Sequence, residues 1–588
     1  MEPGKRLLPV MIDHIAATDP DRAWISVPRD DLDLAKGFVD ITYRQFANAI
    51  NHAAAWLETV LAVAVAPRGP GVGIAVVRHG GFDTFAYEGP RDFGLLIVTV
   101  AAAKIGRKIF LPFPWTRLRN KLLLLDYTRC GAFICDESSR KEIEDILRAR
   151  PHLRGIVAPP LCDWITEKEA KPVEYQKSWE QAKHDPWIIF HTSGTTGIPR
   201  PIVYTHLMMT SVDASKLFPD AGEETQMGCH VNSRVFSTVP IFHLVGMTAA
   251  LQSTVWLGTT LVLGPMDKPV NAAVAEQVLR YGNPVGLAAP PFLIKDLCRQ
   301  PESFRYLKSL RFVQWAGAPL DQATGDLISP HVKLAPAFGT TEAGPYFTRV
   351  CEAPRDWAYY CFQRGQGIDF EPRSERLFEL VFRRQLSAHW QQIFLLHPEL
   401  DEYRTKDLFQ RHPTRSDLWL YSGRTDDMVI LANGENLHAS NMEAIIIRDP
   451  LVQTALIGGQ GRNRSFLVLE LAKDDDNNAD DEHDNSSPRV EGVRQDARLG
   501  RVWPAVEAAN AICSDSARIS KELVLFSSPT KPIPRTAKGS LLRREALALY
   551  HDEVEALFAR VEPGVAQPET EYSLGFKHAR SSAGRWVT

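Results

Sequence analysis

The chain has 588 residues, several times the length of a typical single domain, so it is expected to fold into two or more units with large interiors. Apolar residues account for 44% of it and charged residues for 23%, which is typical of globular proteins and excludes disordered, fibrous and coiled-coil compositions. The 67 Lys and Arg residues nearly balance the 71 Asp and Glu residues, and this balance argues against nucleic acid as a partner.

Eight cysteines are scattered along the chain without a Cys-x-x-Cys pair and without a Cys and His spacing suited to zinc. This pattern indicates neither a disulfide framework nor a structural metal, and it favours a reducing, cytoplasmic location. One long uncharged stretch, residues 244–266, contains Gln252, Ser253 and several Thr and Gly residues, which suit a membrane span poorly. It is predicted to be a buried helix followed by a strand, and no membrane partner is expected.

An amphipathic helix is the first clear element of the chain. Apolar residues recur at helical spacing from Phe46 to Leu57, and Thr42 is placed to cap them. From there to about residue 420, short β-branched or apolar runs alternate with longer helical patterns, which predicts an α/β layered domain. The strand-like runs cover residues 73–77, 132–135, 155–157, 188–190 and 235–239.

A smaller α/β unit is predicted towards the C-terminus. Residues 473–487 interrupt it with an acidic, polar run that offers almost nothing to bury, so they are predicted to form a surface insertion. Helical spacing returns at residues 541–560, whereas residues 561–588 are rich in Pro, Gly, Ser and charge and are predicted to be a loose tail.

The most informative segment follows the apolar run 187–190 and extends from His191 to Arg200. Its glycines let a backbone close on an anion without Cβ clashes, while its hydroxyls and amides offer hydrogen-bond donors and Arg200 adds positive charge. The composition predicts a phosphate-binding loop made of Thr192, Ser193, Gly194, Thr195, Thr196 and Gly197. The alternative is a Gly/Thr turn between a strand and a helix. A Walker loop is excluded because the Gly-Lys-Ser/Thr ending is missing.

Four further segments follow this loop in order and at large separations. Phe338 offers an aromatic face for a base, and Glu342, close by, offers a carboxylate suited to Mg²⁺. The two oxygens of Asp407 could accept hydrogen bonds from both hydroxyls of a ribose. Arg424 supplies a guanidinium beside a bend, and Lys538 is a cation on a short loop.

These five segments resemble the signature set of the adenylate-forming superfamily, which includes acyl- and aryl-CoA synthetases, luciferases and adenylation domains of nonribosomal peptide synthetases. The resemblance spans about residues 12–558, and residues 199–202 and 534–539 most resemble fungal synthetase-like enzymes. It implies an α/β fold with a large N-terminal adenylate-forming domain of layered sheets and helices, residues 1–425. A small mobile C-terminal α+β domain, residues 426–560, would follow a hinge at Asp426.

The resemblance also implies roles for individual residues. ATP would be held by the phosphate-binding loop, with adenine near Phe338 and ribose on Asp407 and Arg424. The implied nucleotide-binding residues are Thr192, Ser193, Gly194, Thr195, Thr196, Gly197, Arg200, Gly317, Ala318, Pro319, Phe338, Gly339, Thr340, Asp407 and Arg424. The implied catalytic residues are Lys538, His243, Thr341 and Glu342, and the implied Mg²⁺ ligands are Glu342 and Thr196.

The chemistry of acid activation suits this set of groups. A substrate carboxylate attacks the α-phosphorus in line and pyrophosphate leaves, so charge on the phosphoryl oxygens must be met by fixed donors, a metal ion and a positioned cation. No protein nucleophile is required. A rotating small domain would let Lys538 withdraw and clear a path for a thiol, either the phosphopantetheine of a carrier protein or coenzyme A.

The acid pocket departs from that of amino-acid-activating relatives. Those relatives carry an aspartate that holds the substrate ammonium, and Leu244 takes its place here, so an α-amino acid is disfavoured. His243 resembles the pocket-edge histidine of aryl and acyl activators, although a hydrogen-bonded core histidine is the alternative. Candidate pocket walls, which core packing explains equally well, are Gly246, residues 287–291, Phe292 and Gln314.

Other departures affect the nucleotide site. Arg200 and Pro201 replace the usual Lys-Gly of the family, and Pro336 stands where many relatives carry an amide side chain. Alignment on Gly539 would place Ser540 at the catalytic lysine position, whereas alignment on Pro532 gives Lys538. Lys538 is favoured and Lys531 is the fallback.

The sequence therefore predicts an ATP- and Mg²⁺-dependent ligase that activates a small non-amino carboxylic acid, aryl or 2-oxo acids preferred, as its acyl adenylate. The acyl group would pass to the phosphopantetheine thiol of a carrier domain in cis or in trans. Residues 569–588 show no convincing carrier sequence, so a partner in trans, an excised domain or a truncated product is expected. The alternatives are a free acyl- or aryl-CoA ligase and a catalytically silent nucleotide-binding module.

Overall fold

The structure is a computed structural model of the whole chain. It describes residues 2–62, 82–90, 92–114, 116–192, 199–219, 222, 224–266, 270–351, 354–374, 376–385, 390–425, 428–433, 436–472, 488–511, 513, 517–528, 530–535 and 541–561. Contacts within the chain divide it into two compact units. The first contains most residues up to Tyr421, and the second contains Lys406–Phe409 and the chain from Ser422 onward.

Short strands make up the sheets of both units. In chain order they are β1 (Ala23–Pro28), β2 (Phe38–Thr42), β3 (Thr84–Glu88), β4 (Lys108–Phe110), β5 (Cys130–Cys135), β6 (Arg154–Val157), β7 (Pro186–His191), β8 (Pro201–Thr205), β9 (Arg234–Ser237), β10 (Thr260–Val262), β11 (Gly286–Ala289), β12 (Phe312–Trp315), β13 (Lys333–Pro336), β14 (Phe338–Thr340), β15 (Gly344–Tyr346), β16 (Thr348–Arg349), β17 (Tyr359–Phe362), β18 (Ile368–Pro372), β19 (Phe378–Arg383), β20 (Glu402–Arg411), β21 (Trp419–Arg424), β22 (Met428–Ile430), β23 (Asn436–His438), β24 (Val452–Gly458), β25 (Phe466–Leu471) and β26 (Val524–Phe526).

The α-helices lie before, between and after these strands along the chain. They are α1 (Leu8–Thr18), α2 (Tyr43–Leu61), α3 (Gly94–Lys104), α4 (Leu118–Thr128), α5 (Arg140–Ala149), α6 (Trp179–Ala182), α7 (Ser211–Ala214), α8 (Leu244–Met247), α9 (Thr254–Leu257), α10 (Ala272–Tyr281), α11 (Pro291–Arg299), α12 (Pro301–Ser309), α13 (Gln322–Ile328), α14 (Gln392–Leu396), α15 (Ala439–Ile446), α16 (Pro488–Asn510), α17 (Arg543–Leu549) and α18 (His551–Val561). As predicted, Thr42 caps α2, in a capping box with Gln45.

Two largely parallel sheets form the centre of the first unit. The seven-stranded sheet has the order β13-β12-β11-β9-β10-β1-β2, and its only antiparallel pair is β1 with β2. The six-stranded sheet has the order β6-β5-β3-β4-β7-β8, and its only antiparallel pair is β7 with β8. Parallel strands are buried on both faces, which explains their continuous apolar runs. A further sheet has the order β16-β17-β21-β20-β19-β18.

The core of the first unit is apolar and aromatic. Trp24 and Trp187 are fully buried, and the Trp24 ring stacks on Phe46 with 3.4 Å between ring centroids. Every residue of α3 is buried, and all of them except Thr99 and Lys104 are apolar. Burying one large side chain contributes roughly 1.5–3 kcal/mol, so such a core fixes the positions of the strand ends that carry the polar groups described below.

In the second unit, helices cover both faces of the three-stranded sheet β24-β25-β26. Met442 of α15 and Val506 of α16 belong to the apolar cluster on one face. Ala546 of α17 and Leu557 of α18 belong to the cluster on the other face. The arrangement gives this small unit its own interior.

The predicted α/β fold is confirmed, and so are the strands at 132–135, 155–157, 188–190 and 235–239, to within two residues at their ends. Residues 244–266 contain α8, a π-helical turn, α9 and then β10, as predicted. No helix among the described residues combines the length and apolarity that crossing a bilayer requires. None of the eight cysteines, all of which lie among the described residues, forms a disulfide.

The helical spacing predicted over 541–560 is confirmed, and the structure divides it into two helices, because α17 ends before Tyr550 and α18 begins at His551. Tyr550 is buried, and its hydroxyl donates to the Lys531 carbonyl, so its ring packs into the core where the helix breaks. The predicted strand at 73–77, the insertion at 473–487 and nearly all of the tail lie outside the described residues, as does the hinge residue Asp426. The boundary between residues 425 and 426 stays a prediction.

Candidate functional site

The glycine-rich loop connects two antiparallel strands. β7 ends at His191, β8 begins at Pro201, and these two residues face each other across the strand pair. The Thr192 amide donates to the Arg200 carbonyl over 3.1 Å and closes the base of the loop. A strand therefore follows the loop, and the alternative of a turn between a strand and a helix is wrong. Ser193, Gly194, Thr195, Thr196 and Gly197 lie outside the described residues.

His191 fixes the start of this loop, a role that the sequence analysis did not assign. Its Nε2 accepts a hydrogen bond from the Phe113 amide over 3.0 Å, so the proton lies on Nδ1, which donates to the Thr192 carbonyl over 3.2 Å. Burial lowers the pKa of His191 to about 4, so the ring is neutral at pH 7. The only signal in the sequence was its position directly before the loop.

Phe113 joins the loop to the predicted pocket-edge histidine. Its ring centroid lies 4.0 Å from that of His191 and 5.7 Å from that of His243. His243 is half-buried and caps α8, where its Nδ1 accepts from the Val245 amide over 3.4 Å. The three rings pack in a row, here called the column of rings, and of the three only His243 was predicted from the sequence as a site residue.

The predicted adenine-binding residues directly follow the carboxyl ends of two neighbouring strands of the seven-stranded sheet. Trp315 of β12 pairs with Pro336 of β13, and the Ala337 amide donates to the Trp315 carbonyl over 2.9 Å. The exposed turn Gly317-Ala318-Pro319 and the half-buried Phe338 therefore follow neighbouring strand ends. Gly317 has a φ of +92°, a conformation that favours glycine. The Phe338 ring contacts the rings of Tyr346, Tyr360 and Tyr421 at 5.3–5.4 Å.

The next predicted residues lie in the hairpin of β14 and β15. A Cβ on Gly339 would lie 2.5 Å from the Gly344 carbonyl oxygen, so the two strands approach too closely for a side chain there. The Thr340 hydroxyl accepts from the Ala343 amide over 3.0 Å, and the Thr341 carbonyl accepts from the Tyr204 hydroxyl over 2.9 Å. This hairpin holds Thr341 and Glu342 in place.

Glu342 is a half-buried carboxylate at the end of that hairpin. Mg²⁺ in nucleotide sites is commonly held by one or two carboxylates together with phosphate oxygens and waters. The carboxylate of Glu342 fits that requirement. No group of three or more His, Cys, Asp or Glu side chains in the described part of the chain is arranged to hold a metal by itself.

The predicted ribose-binding residues both belong to the second unit. Asp407 of β20 is buried, with 2% of its surface exposed, and Arg424 lies at the end of the neighbouring strand β21. Nη1 of Arg424 lies 3.6 Å from Oδ1 of Asp407. The guanidinium supplies the opposite charge that a buried carboxylate requires.

Of the two candidate catalytic lysines, the structure describes only Lys531. Lys538 lies outside the described residues. Lys531, the fallback, forms an ion pair with Glu553, and its Nζ lies 5.0 Å from the centre of the Tyr550 ring. Lys531 therefore has a structural role within the second unit, and Lys538 as the cation of the nucleotide site stays a prediction.

The candidate pocket walls also differ from one another. A Cβ on Gly246 would lie 2.1 Å from the Pro240 carbonyl oxygen, so close backbone packing explains this glycine. Phe292 is 56% exposed, whereas Gln314 is buried and its Oε1 lies 3.2 Å from Nε2 of His230. The sequence pattern pointed to Gln314 but not to His230.

Comparison with known families gives two matches. The family described as AMP-binding enzyme matches residues 83–362, and the one described as AMP-binding enzyme C-terminal domain matches residues 426–562. The chain is 30% identical over 575 residues to a carboxylic acid reductase of Neurospora crassa, covering 96% of this chain and 52% of that protein. It is 28% identical to the adenylate-forming reductase Nps11 of Serpula lacrymans, covering 95% and 50%. The chain thus spans about half the length of these curated relatives.

Solved structures give the same fold. The ATP-bound MatB of Rhodopseudomonas palustris superposes with a TM-score of 0.65 at 15% identity, covering 93% of this chain and 99% of that one. At this identity the likeness concerns the fold alone. The two matched families lie in order along the chain, and the protein belongs to the adenylate-forming superfamily of AMP-binding enzymes, as its motifs predicted.

Proposed function

We propose that this chain uses ATP and Mg²⁺ to convert a non-amino carboxylic acid into its acyl adenylate. The observation that carries the proposal is the closed base of the glycine-rich loop, where the Thr192 amide donates to the Arg200 carbonyl at the carboxyl end of β7. Ligands of open α/β sheets bind at the carboxyl ends of parallel strands, so a phosphate-binding loop at this position suits a nucleotide.

Each residue then has a role in binding or in stabilising charge. The loop from Thr192 to Gly197 and the exposed Arg200 would hold the phosphates, and the aromatic face of Phe338 would hold adenine beside the turn at Gly317. Asp407 would accept from the ribose hydroxyls while paired with Arg424. Bound Mg²⁺ would neutralise phosphate charge, with Glu342 and Thr196 as its protein ligands.

The attack needs no nucleophile from the protein. The acid's own carboxylate attacks the α-phosphorus while pyrophosphate leaves in line, and Lys538 would stabilise the charge that develops on the phosphoryl oxygens. His243 would face the carboxylate from the pocket edge. Thr341 would contribute its hydroxyl from the hairpin that holds Glu342.

The environment of Leu244 favours an acid without an ammonium group. Leu244 is buried with 5% exposure and packs with Ile241, Met247 and Leu251 in the apolar core of the first unit. An ammonium placed there would lose its hydration without gaining a counter-charge. Aryl and 2-oxo acids avoid that cost.

The acyl acceptor is proposed to be the phosphopantetheine thiol of a carrier domain in cis or in trans. The full-length relatives named above are reductases about twice as long as this chain, which supports a multidomain context. A free CoA ligase is the second candidate, and thioester formation with coenzyme A in the absence of a carrier protein would distinguish it.

Exchange of labelled pyrophosphate into ATP across a panel of acids tests the proposal. We expect exchange that depends on one class of non-amino acids and that falls by about 10²–10³-fold in Lys538→Ala. Lys531→Ala is the matched control, and it should keep most of the exchange because Lys531 pairs with Glu553. A chain that binds ATP but shows no exchange with any acid would be a silent nucleotide-binding module.

A further inference from the structure

A fully buried tyrosine links the strand that leaves the glycine-rich loop to the hairpin that carries Glu342. Tyr204 belongs to β8, which begins at Pro201 directly after the loop, and none of its surface is exposed. Its hydroxyl donates to the Thr341 carbonyl over 2.9 Å, between residues 137 positions apart. The hydroxyl therefore ties the turn of the hairpin to the strand at the base of the loop.

A buried amide meets this hydroxyl from a third element. Oε1 of Gln392, in α14, lies 2.8 Å from the Tyr204 hydroxyl, and Gln392 is 3% exposed. Nε2 of Gln392 donates to the Met208 carbonyl over 2.8 Å, which fixes the amide with its oxygen towards Tyr204. Because a phenolic hydroxyl has a single proton, Tyr204 shares that proton between the Thr341 carbonyl and the Gln392 amide oxygen.

The same amide packs against the second strand of the hairpin. Gly344 begins β15 with a φ of +76°, and a Cβ at this position would overlap with the amide oxygen of Gln392. A side chain there would therefore strain the backbone and displace the amide. Within the turn, the Thr340 hydroxyl accepts from the Ala343 amide over 3.0 Å. The two residues between Thr340 and Ala343 are thus held from both sides of the turn.

Tyr204 is a neutral donor with a fixed direction. Burial raises the pKa of Tyr204 well above its usual value of 10, and the nearby carboxylate of Glu342 raises it further. The Tyr204 ring packs edge-on against the ring of Phe190 in β7, with 5.1 Å between the ring centroids. The hydroxyl therefore keeps both its proton and its position at neutral pH.

We propose that Tyr204 and Gln392 are positioning residues for the adenylation reaction, because they hold the turn that carries Glu342 in a fixed place relative to the strand leaving the glycine-rich loop. They act through the Thr341 carbonyl and the hairpin, not on the reacting atoms. Groups of a functional site must be held to within about 0.5 Å by side chains that are themselves fixed. The inference rests on the proposed function, because it takes Glu342 as a ligand of Mg²⁺.

The first test measures the hairpin in the chain without nucleotide or metal. Tyr204→Phe removes only the hydroxyl and leaves the Thr341 carbonyl without its donor. We expect the amide hydrogens of residues 338–346, followed by mass spectrometry of peptides, to exchange with solvent about tenfold faster in this variant. Tyr175→Phe is the matched control, because its hydroxyl lies 3.0 Å from Nε2 of His206, directly after the other end of β8. It should leave the hairpin amides unchanged.

Pyrophosphate exchange then tests whether the position of the turn matters for the reaction. In Tyr204→Phe we expect kcat to fall by about tenfold and the Mg²⁺ concentration that gives half-maximal rate to rise several-fold. The KM for the acid should stay within about twofold of its native value. A purely structural role would lower the amount of folded chain without changing the Mg²⁺ dependence. Gln392→Leu should give the same pattern with smaller changes.

A double variant shows whether the two residues act as one unit. Tyr204→Phe combined with Gln392→Leu should lose little more kcat than Tyr204→Phe alone, because both changes release the same turn. Losses that multiply would show that Gln392 acts elsewhere and would overturn its part in the inference. If Gln392→Leu does not fold, Gln392→Met replaces it, since it also lacks the amide.

The outcomes separate this inference from the function on which it rests. Hairpin amides that exchange at the native rate in Tyr204→Phe would overturn the inference and leave the proposed function standing. Faster amide exchange with unchanged kcat and Mg²⁺ dependence would do the same. No pyrophosphate exchange with any acid by the native chain would overturn both.

Discussion

Each of the two largely parallel sheets of the first unit has a buried histidine, His191 at the end of β7 and His230 packed against β12, and the two histidines form different bonds. At the edge of the six-stranded sheet, both ring nitrogens of His191 bond to main-chain groups, the Phe113 amide and the Thr192 carbonyl. At the seven-stranded sheet, His230 bonds to the side chain of Gln314, whose Nε2 has no partner among the described residues.

The difference indicates two separate structural roles for His191 and His230. A histidine that is fully bonded to the main chain fixes a backbone shape, and the shape in question is the start of a loop that binds phosphates in the proposed function. A histidine bonded to a side-chain amide instead orients that amide.

The largest expected effect is acid lability of the first unit. Burial lowers the pKa of His191 and His230 to about 4 and that of His206 to about 3, below the usual 6.5 of an unfolded histidine. The unfolded chain therefore binds more protons than the native chain between pH 6.5 and 4, and stability is lost as the pH falls through that window. Each histidine contributes roughly 2 kcal/mol of loss at about pH 5.

One carboxyl group, that of Asp92, offsets part of this loss of stability. Burial raises the pKa of Asp92 to about 6, so its protonation on acidification favours the native state and offsets part of the effect. We expect a net loss on the order of 4 kcal/mol between pH 7 and about pH 5, measured as the free energy of unfolding in urea. His206→Phe should flatten the dependence without changing either edge. Equal stability at both pH values would contradict the assignment of neutral buried histidines.

The fold was easier to predict from the sequence than the histidine contacts. The reason is how far apart along the chain the interacting residues lie. The runs at residues 132–135 and 188–190 carry their strand signal locally, and the capping of α2 by Thr42 is set by a residue three positions away. The bond between His191 and Phe113 joins residues 78 positions apart, and that between His230 and Gln314 joins residues 84 apart. No local pattern encodes such pairs.

Motifs pointed to residues that the structure brings together, although their chemical roles stay predictions. Asp407 and Arg424 were read from separate motifs as ribose-binding partners, and the structure brings them within 3.6 Å. The course of the chain after the glycine-rich loop could not be read, because the antiparallel pairing of β7 with β8 depends on contacts across the loop. Helical spacing over residues 541–560 did not show where one helix ends and the next begins, since the spacing does not register a ring such as that of Tyr550 that packs into the core.

A second way to test the comparison is to remove the fully bonded histidine. His191→Ala leaves the buried Phe113 amide without its acceptor and opens a cavity beside the ring of Phe113. We expect the free energy of unfolding to fall by about 2–4 kcal/mol and the KM for ATP to rise, because the start of the loop is no longer fixed. Urea unfolding and pyrophosphate exchange measure the two effects. His331→Ala, which removes an exposed histidine, is the control. An unchanged KM for ATP would show that His191 supports the core alone.

The smallest expected effect concerns the ring that lies between His191 and His243. Phe113→Leu keeps the amide that bonds to His191 and most of the buried apolar volume, but it removes the aromatic contacts at 4.0 and 5.7 Å. We expect a loss of about 1 kcal/mol in stability and a few-fold rise in the KM values of both ATP and acid. The double effect follows because this one ring touches the histidine before the loop and the histidine at the pocket edge.

The matched control for that ring is Phe304→Leu. Phe304 contacts His331 at 6.1 Å, and it belongs to the helical layer around the seven-stranded sheet rather than to either strand end. This variant should lose a similar amount of stability with both KM values unchanged. If Phe113→Leu raised the KM for ATP alone, the column of rings would serve only the loop, and His243 would be positioned by its place at the start of α8.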